Sequence, residues 1–193
     1  MVTRAGVIAP VRLACHPSTP TDGVRGIVAR VRRSPAGVLT ATFSLDADLG
    51  CLRIPAPRPP RSVRGLWQHT CFELFVAAAD GEAYHEFNFS PSGEWAAHAF
   101  RRYREGGLVA DEALAPSIVV RIETGSLELE ATVPLDRLSP AHPRGSFRLG
   151  LAAVLEAASG TLSYWALRHP PGQPDFHHAD GFALRLETPG AAW

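Results

Sequence analysis

Apolar and polar residues alternate in short segments along most of the chain, and glycine, proline, aspartate and serine separate the segments. A period of two sends successive side chains to opposite faces of an extended strand, and no long stretch repeats at the helical spacing. The pattern predicts strands over residues 24–33, 38–45, 70–77, 84–89, 94–100, 118–123, 127–133, 147–156, 162–167 and 182–187. The chain therefore reads as an all-β protein, an antiparallel β-sandwich forming a single domain over residues 1–193. Residues 1–21 show too little periodicity to assign. Residues 53–61 (RIPAPRPPR) form a stiff connector, and 101–116 a long loop or short helix.

Hairpin register decides which side chains share a face. A turn at Asp80-Gly81 pairs Phe72 with Phe89 and Leu74 with Phe87, and these four make a core face. The opposite face carries Cys71, Glu73 and Phe75 across from Ser90, Asn88 and Glu86. Taking SPSG (90–93) as the next turn pairs Phe87 with Ala96 and Asn88 with Trp95. Glu73, Asn88 and Trp95 then form one row on the non-core face, a carboxylate, an amide and an indole suited to a polar ligand. In a later hairpin Phe147, Leu149, Leu151, Ala153 and Leu155 face the core with Leu162, Tyr164 and Ala166. Trp165 is thereby expected on the outer face, beside the small residues Gly150 and Ala152, with Arg148 and His169 further along. Segment 118–133 puts Val120, Ile122, Leu127 and Leu129 inward and Arg121, Glu128 and Glu130 outward, an ordinary solvated face.

The stretch SYWALRHPPGQPDFHH (163–178) holds a tryptophan, three histidines, three prolines and an aspartate. Its prolines stiffen it, as a binding wall requires. His177 and His178 are adjacent and point to opposite sides in an extended chain, while His169, Asp175 and His177 can meet across the loop. The spacing matches no zinc pattern, and no metal site is assigned. Trp67 either plugs the end of the sandwich or forms the lip of a pocket. Glu73, Glu86 and Glu94 raise the question of a glycosidase, which needs two carboxyls across the scissile bond. The register leaves only Glu73 and Glu86 on one face, and no catalytic residue is assigned.

Nineteen basic and nineteen acidic residues balance, giving no electrostatic reason to expect nucleic acid or a membrane surface. Every basic residue is arginine, which excludes lysine Schiff-base and P-loop chemistry. Three cysteines without CxxC spacing indicate neither a disulfide framework nor a cysteine-rich zinc site, and a cytoplasmic location is expected. The chain carries no GxSxG, GxGxxG or P-loop pattern.

Residues 66–103 (LWQHTCFELFVAAADGEAYHEFNFSPSGEWAAHAFRRY) resemble the DOMON-like proteins, within the superfamily that includes family 9 carbohydrate-binding modules. Trp67, Glu73-Leu74-Phe75, Tyr84, Glu86-Phe87-Asn88, Pro91 and Gly93 match that family's order of tryptophan, acidic strand, turn and second strand. Residues 163–178 look like the distal motif of a bacterial DOMON-like subgroup. The resemblance implies a jelly-roll-like sandwich whose members bind sugars or haem, often as modules of larger proteins. Haem-binding members often use methionine and histidine axially. Met1 is the one methionine here, so a haem site would need two histidines.

The expectation is a non-catalytic module binding a small polar ligand, a saccharide or sugar derivative, without cofactor. Its candidate residues are Trp67, Glu73, Asn88, Trp95, Arg148, Trp165, His169, Asp175 and His177. The alternatives are a haem- or metal-binding redox protein using His169, His177 or His178, and a module that offers the same face to a protein partner.

Overall fold

The computed structural model describes residues 2–3, 7–109, 111–138 and 145–187. Its strands are β1 (Val2–Thr3), β2 (Val7–Cys15), β3 (Val24–Arg33), β4 (Val38–Ala47), β5 (Cys71–Ala78), β6 (Tyr84–Phe89) and β7 (Trp95–Arg102). They continue as β8 (Glu105–Leu108), β9 (Ser117–Glu123), β10 (Ser126–Pro134), β11 (Phe147–Glu156), β12 (Leu162–Ala166) and β13 (Leu184–Leu186). Among the described residues, helical structure is limited to single 3-10 turns.

One antiparallel layer runs β1-β2-β3-β4-β10-β9. The other runs β8-β7-β6-β5-β11, with β12 and β13 sharing the far edge of β11. The layers join where β12 pairs with β2, Trp165 opposite Cys15 and Ala166 opposite Ala14. Alternate residues of β4 (Leu39, Ala41, Phe43, Leu45) face Phe72, Leu74, Phe87 and Leu151 of the second layer, all buried. Phe43 and Phe72 meet across the gap at 5.2 Å between ring centroids. This is the all-β sandwich that the alternation predicts, of the jelly-roll-like form that the resemblance implies.

Strands β5, β6 and β11 are buried almost throughout instead of alternately. β5 and β11 are near-continuously apolar and β6 turns Tyr84 outward, so the outer face needs cover as well. The chain after β12 folds back to supply it: Phe176 and Phe182 join a second apolar cluster with Phe75, Tyr84, Phe100, Ala152 and Ala166. Gly150 lies within this packing, for a Cβ there would meet Phe75 Cβ at 3.2 Å.

Three strands escape the sequence pattern, β1 and β2 in the unassigned first 21 residues and β8. β2 contains Pro10 beside a register shift between Ile8 and Val11, which breaks its alternation. β8 (EGGL), in the segment expected as loop or helix, is a strand only because β7 pairs with it. At the outer edge, Ile122 is 56% exposed instead of inward.

The two tryptophan placements are corrected together. After Phe89 the chain turns through Pro91, Ser92 and Gly93: Gly93 N donates to Ser90 O (2.9 Å), Ser90 N donates to Glu94 O (2.9 Å), and Gly93 takes φ 90°. A three-residue loop with a left-handed glycine pairs Phe89 with Trp95 and Asn88 with Ala96, one step from the expected register. The turn after β11 repeats this geometry, Gly160 N donating to Ala157 O and Ala157 N to Thr161 O (both 2.8 Å), with Gly160 at φ 90°. There Ala153 pairs with Trp165 and Val154 with Tyr164. A one-residue slip exchanges faces. Trp95 (2% exposed) and Trp165 (8%) therefore lie in the main core, and Tyr164 faces outward.

Candidate functional site

The chain after β12 is fastened over the outer face of the second layer. His177 packs on Phe75 and Phe100 at centroid distances of 5.5 and 5.1 Å, and its Nδ1 lies 2.8 Å from the Tyr84 hydroxyl. Asp175 accepts hydrogen bonds from Tyr103 Oη and Arg104 Nη2, both at 2.8 Å. Arg104 N donates to Tyr84 Oη (3.1 Å), and Arg104 is a non-glycine residue in the left-handed region, φ 55°. That strain holds the guanidinium of the β7–β8 turn against Asp175.

Between this loop, the β7–β8 hairpin and the 3-10 turn Leu66–Gln68 lies a cleft of about 610 Å³. Its walls carry Trp67, Phe100, Tyr164 and Phe176, and its floor carries Glu73 and Glu86. Leu66 is buried against Cys71 and Ala96. Trp67, next in the turn, is thereby left 48% exposed at the lip.

The floor is polar and buried. Asn88 Nδ2 donates to Glu86 Oε1 (2.5 Å), and Cys71 Sγ lies 3.4 Å from Asn88 Oδ1. The amide thus serves Glu86 and not its cross-strand neighbour, and Glu73 makes no hydrogen bond among the described residues. Burial raises the pKa of Glu73 well above the ordinary carboxyl range, and the Glu86 charge adds to the shift. Burial raises Glu86 too, opposed by the Asn88 hydrogen bond and by His98 and Arg104. His98 Nδ1 lies 3.6 Å from Glu86 Oε1 and is buried without a hydrogen-bond partner. Burial, with Arg104 nearby, lowers His177 to about 4.

The His177 shift has a measurable consequence. Between about pH 6.5 and 4 the unfolded chain binds a proton at this residue that the folded protein does not. Its contribution is present in full above pH 6.5 and is lost as the pH falls to about 4, by at most about 3 kcal/mol. Urea unfolding across that window is expected to show this acid limb, flattened in His177→Gln. An equally steep limb in the variant would assign the loss to other groups.

No protein-family model matches the chain, and no curated protein matches it in sequence. Among solved structures, a crystal structure from Bacteroides uniformis, described provisionally as a carbohydrate-binding protein, has the same fold. It superposes with a TM-score of 0.67 over 90% of this chain and 84% of that one, at 14% identity. At that identity the likeness speaks for the fold. Among the described residues no helix is long and apolar enough to cross a membrane.

Of the residues expected from the sequence, Trp67, Glu73 and His177 line the cleft together. Asn88 lies behind the floor holding Glu86, and Asp175 lies behind Arg104. Trp95 and Trp165 belong to the core. Arg148 is on the far side of the loop, donating to Gly81 O (2.8 Å) with its guanidinium over Phe182. His169 pins the loop's start to β2, its Nε2 lying 2.8 Å from Ala14 O, and it packs edge-on to His16. Glu94, expected on the face away from Glu73, pairs with Ser90 and so shares that strand face, but at its end. There Arg61 Nε holds it at 2.8 Å, in a separate cleft. His98, Phe100, Arg104, Tyr164 and Phe176 were not singled out from the sequence. Correct turn geometry would have exposed Tyr164, whereas the β8 fold-back carried no signal.

The histidines offered for haem or metal are already engaged. His177 sits between Tyr84 and Glu86, His169 meets a backbone carbonyl, and His178 Nδ1 accepts from Asp180 N at 3.3 Å. Each is engaged through at least one ring nitrogen, while His169 Nδ1 has no hydrogen-bond partner. Among the described residues no three His, Cys, Asp or Glu side chains converge to hold a metal ion.

Proposed function

We propose that this protein is a binding module for a saccharide or sugar derivative, and that the ligand lies in the cleft between Trp67, Tyr164 and the 163–178 loop. The observation that carries the reading is the pairing of apolar rings with buried carboxyls in one concave space of about 610 Å³. Ligand pockets are of this size and composition. A sugar ring offers an apolar face to the indole and hydroxyls to polar groups on the floor. The likeness in fold to a protein described as carbohydrate-binding supports the choice of ligand class. The motif at residues 66–103 supports a place among the DOMON-like proteins. Three free cysteines support a reducing, cytoplasmic setting.

Calorimetric titration of the purified protein with a sugar panel tests the reading. Trp67→Ala is expected to weaken binding about tenfold or more, the loss of one aromatic platform. Stability should stay unchanged, since Trp67 is half exposed. Absence of binding across the panel overturns the proposal. A second reading, glycoside hydrolysis, draws on Glu73 and Glu86 sharing the cleft with raised pKa values. Product formation during the same titrations distinguishes it.

A further inference from the structure

Glu73 is a buried carboxyl in the cleft to which no described side chain donates a hydrogen bond. It is 3% exposed, opens on the cleft floor, and makes no hydrogen bond among the described residues. The neighbouring amide, Asn88, is committed to Glu86. Leaving a buried carboxyl without a donor is costly, and here the donor can only arrive through the cleft mouth.

Either a hydroxyl or a cation could supply it, and three features favour the cation. Glu86 shares the floor, so an ammonium there meets two carboxyls, whereas a neutral ligand balances the charge of neither. The walls are aromatic, and the faces of Trp67, Phe100, Tyr164 and Phe176 attract positive charge. Arg104 acts on Glu73 without forming an ion pair with it, and is the weakest of the influences on its pKa. The chain contains no lysine, and Arg104, which also lines the cleft, is bound to Asp175 at 2.8 Å.

We infer that the cleft recognises a protonated amine and that, on the saccharide reading above, its ligand is an amino sugar whose ammonium Glu73 and Glu86 hold jointly. Asn88 fixes Glu86 in place, and Trp67 covers the ring. Burial favours the neutral form of Glu73 and an arriving ammonium favours the ionised one, so binding is expected to release protons. Affinity therefore rises with pH until Glu73 ionises unaided or the amine loses its own proton. The other charged or titratable groups facing this exchange are Cys71 on β5, Glu86 on β6, His98 on β7, Arg104 on the β7–β8 turn, and Asp175 and His177 on the loop.

The test titrates the full chain with glucosamine, galactosamine and mannosamine, each beside its N-acetyl form and its parent neutral hexose, in two buffers of different ionisation heat. One amine is expected to bind at least about tenfold tighter than both of its neutral counterparts, with proton release. Glu73→Gln should abolish the preference while retaining the fold, and Glu86→Gln should weaken it. Equal affinity for amine and neutral forms overturns the inference and leaves the saccharide reading standing. A preference that survives Glu73→Gln overturns the assignment to Glu73. No binding in any series overturns both.

Discussion

Trp95→Ala is expected to destabilise the protein by about 3–5 kcal/mol, the cost of emptying a large buried aromatic site. Trp95 is 2% exposed and is the largest fully buried side chain among the described residues. It sits between the layers with Phe89 and the rest of the main core. Its backbone also ties down the chain before β5: Trp95 N donates to Arg61 O (3.0 Å) and Val63 N donates to Trp95 O (2.8 Å). Alanine keeps both backbone bonds, so the expected loss is that of the ring in the core. Since domains are stable by only about 5–15 kcal/mol, much of the margin would go. Urea unfolding measures it directly, with Trp67→Ala as the comparison that leaves the midpoint in place. An unchanged midpoint for Trp95→Ala would return this ring to the outer face and restore the expected row with Glu73.

Gly106→Ala is the second large effect, because it strikes the wall of the cleft and the stability together. Gly106 lies opposite Phe100 in the β7–β8 pairing, next to a register shift between Phe100 and Arg102. A Cβ there would stand 2.0 Å from Ala99 O and 2.7 Å from Phe100 Cα. Both are backbone atoms, so no rotamer change relieves the clash and the strands must separate. Overpacking of this kind costs about 1–3 kcal/mol, and the upper end is expected here. Phe100 and Arg104 line the cleft from this hairpin, so ligand binding should be lost with the pairing. The adjacent Gly107 has nothing within 4 Å of its added Cβ, and Gly107→Ala should change stability by no more than about 0.5 kcal/mol. Equal behaviour of the two variants would show that β8 does not pack against β7 in this way.

The polar row was partly legible. The Asp80-Gly81 turn correctly placed Glu73 opposite Asn88 and Phe75 opposite Glu86, because a turn signal and an alternating strand together specify register. Trp95 and Trp165 were misplaced for one shared reason. SPSGE and AASGT each close a three-residue loop with glycine in the left-handed conformation, and each puts the following tryptophan one step from where an even-length turn would put it. The alternation itself could not reveal the slip, since the strands that carry the two rings, WAAHAFRR and LSYWA, place small or apolar residues on both faces.

By itself the sequence determined the β-sandwich, most of its strands and the carboxyl–amide row, since these follow from local alternation and from turn chemistry within a single hairpin. Tertiary structure alone decided that the stretch 163–178 folds over the outer face, that EGGL becomes a strand, and that Tyr164 and Trp67 form the walls of the cleft. The loop and the cleft join residues far apart in the chain, Tyr84 with His177 at 93 positions and Arg104 with Asp175 at 71. Contacts of that range leave no periodic trace in the chain, because what orders them is apolar surface left uncovered by the sheet itself.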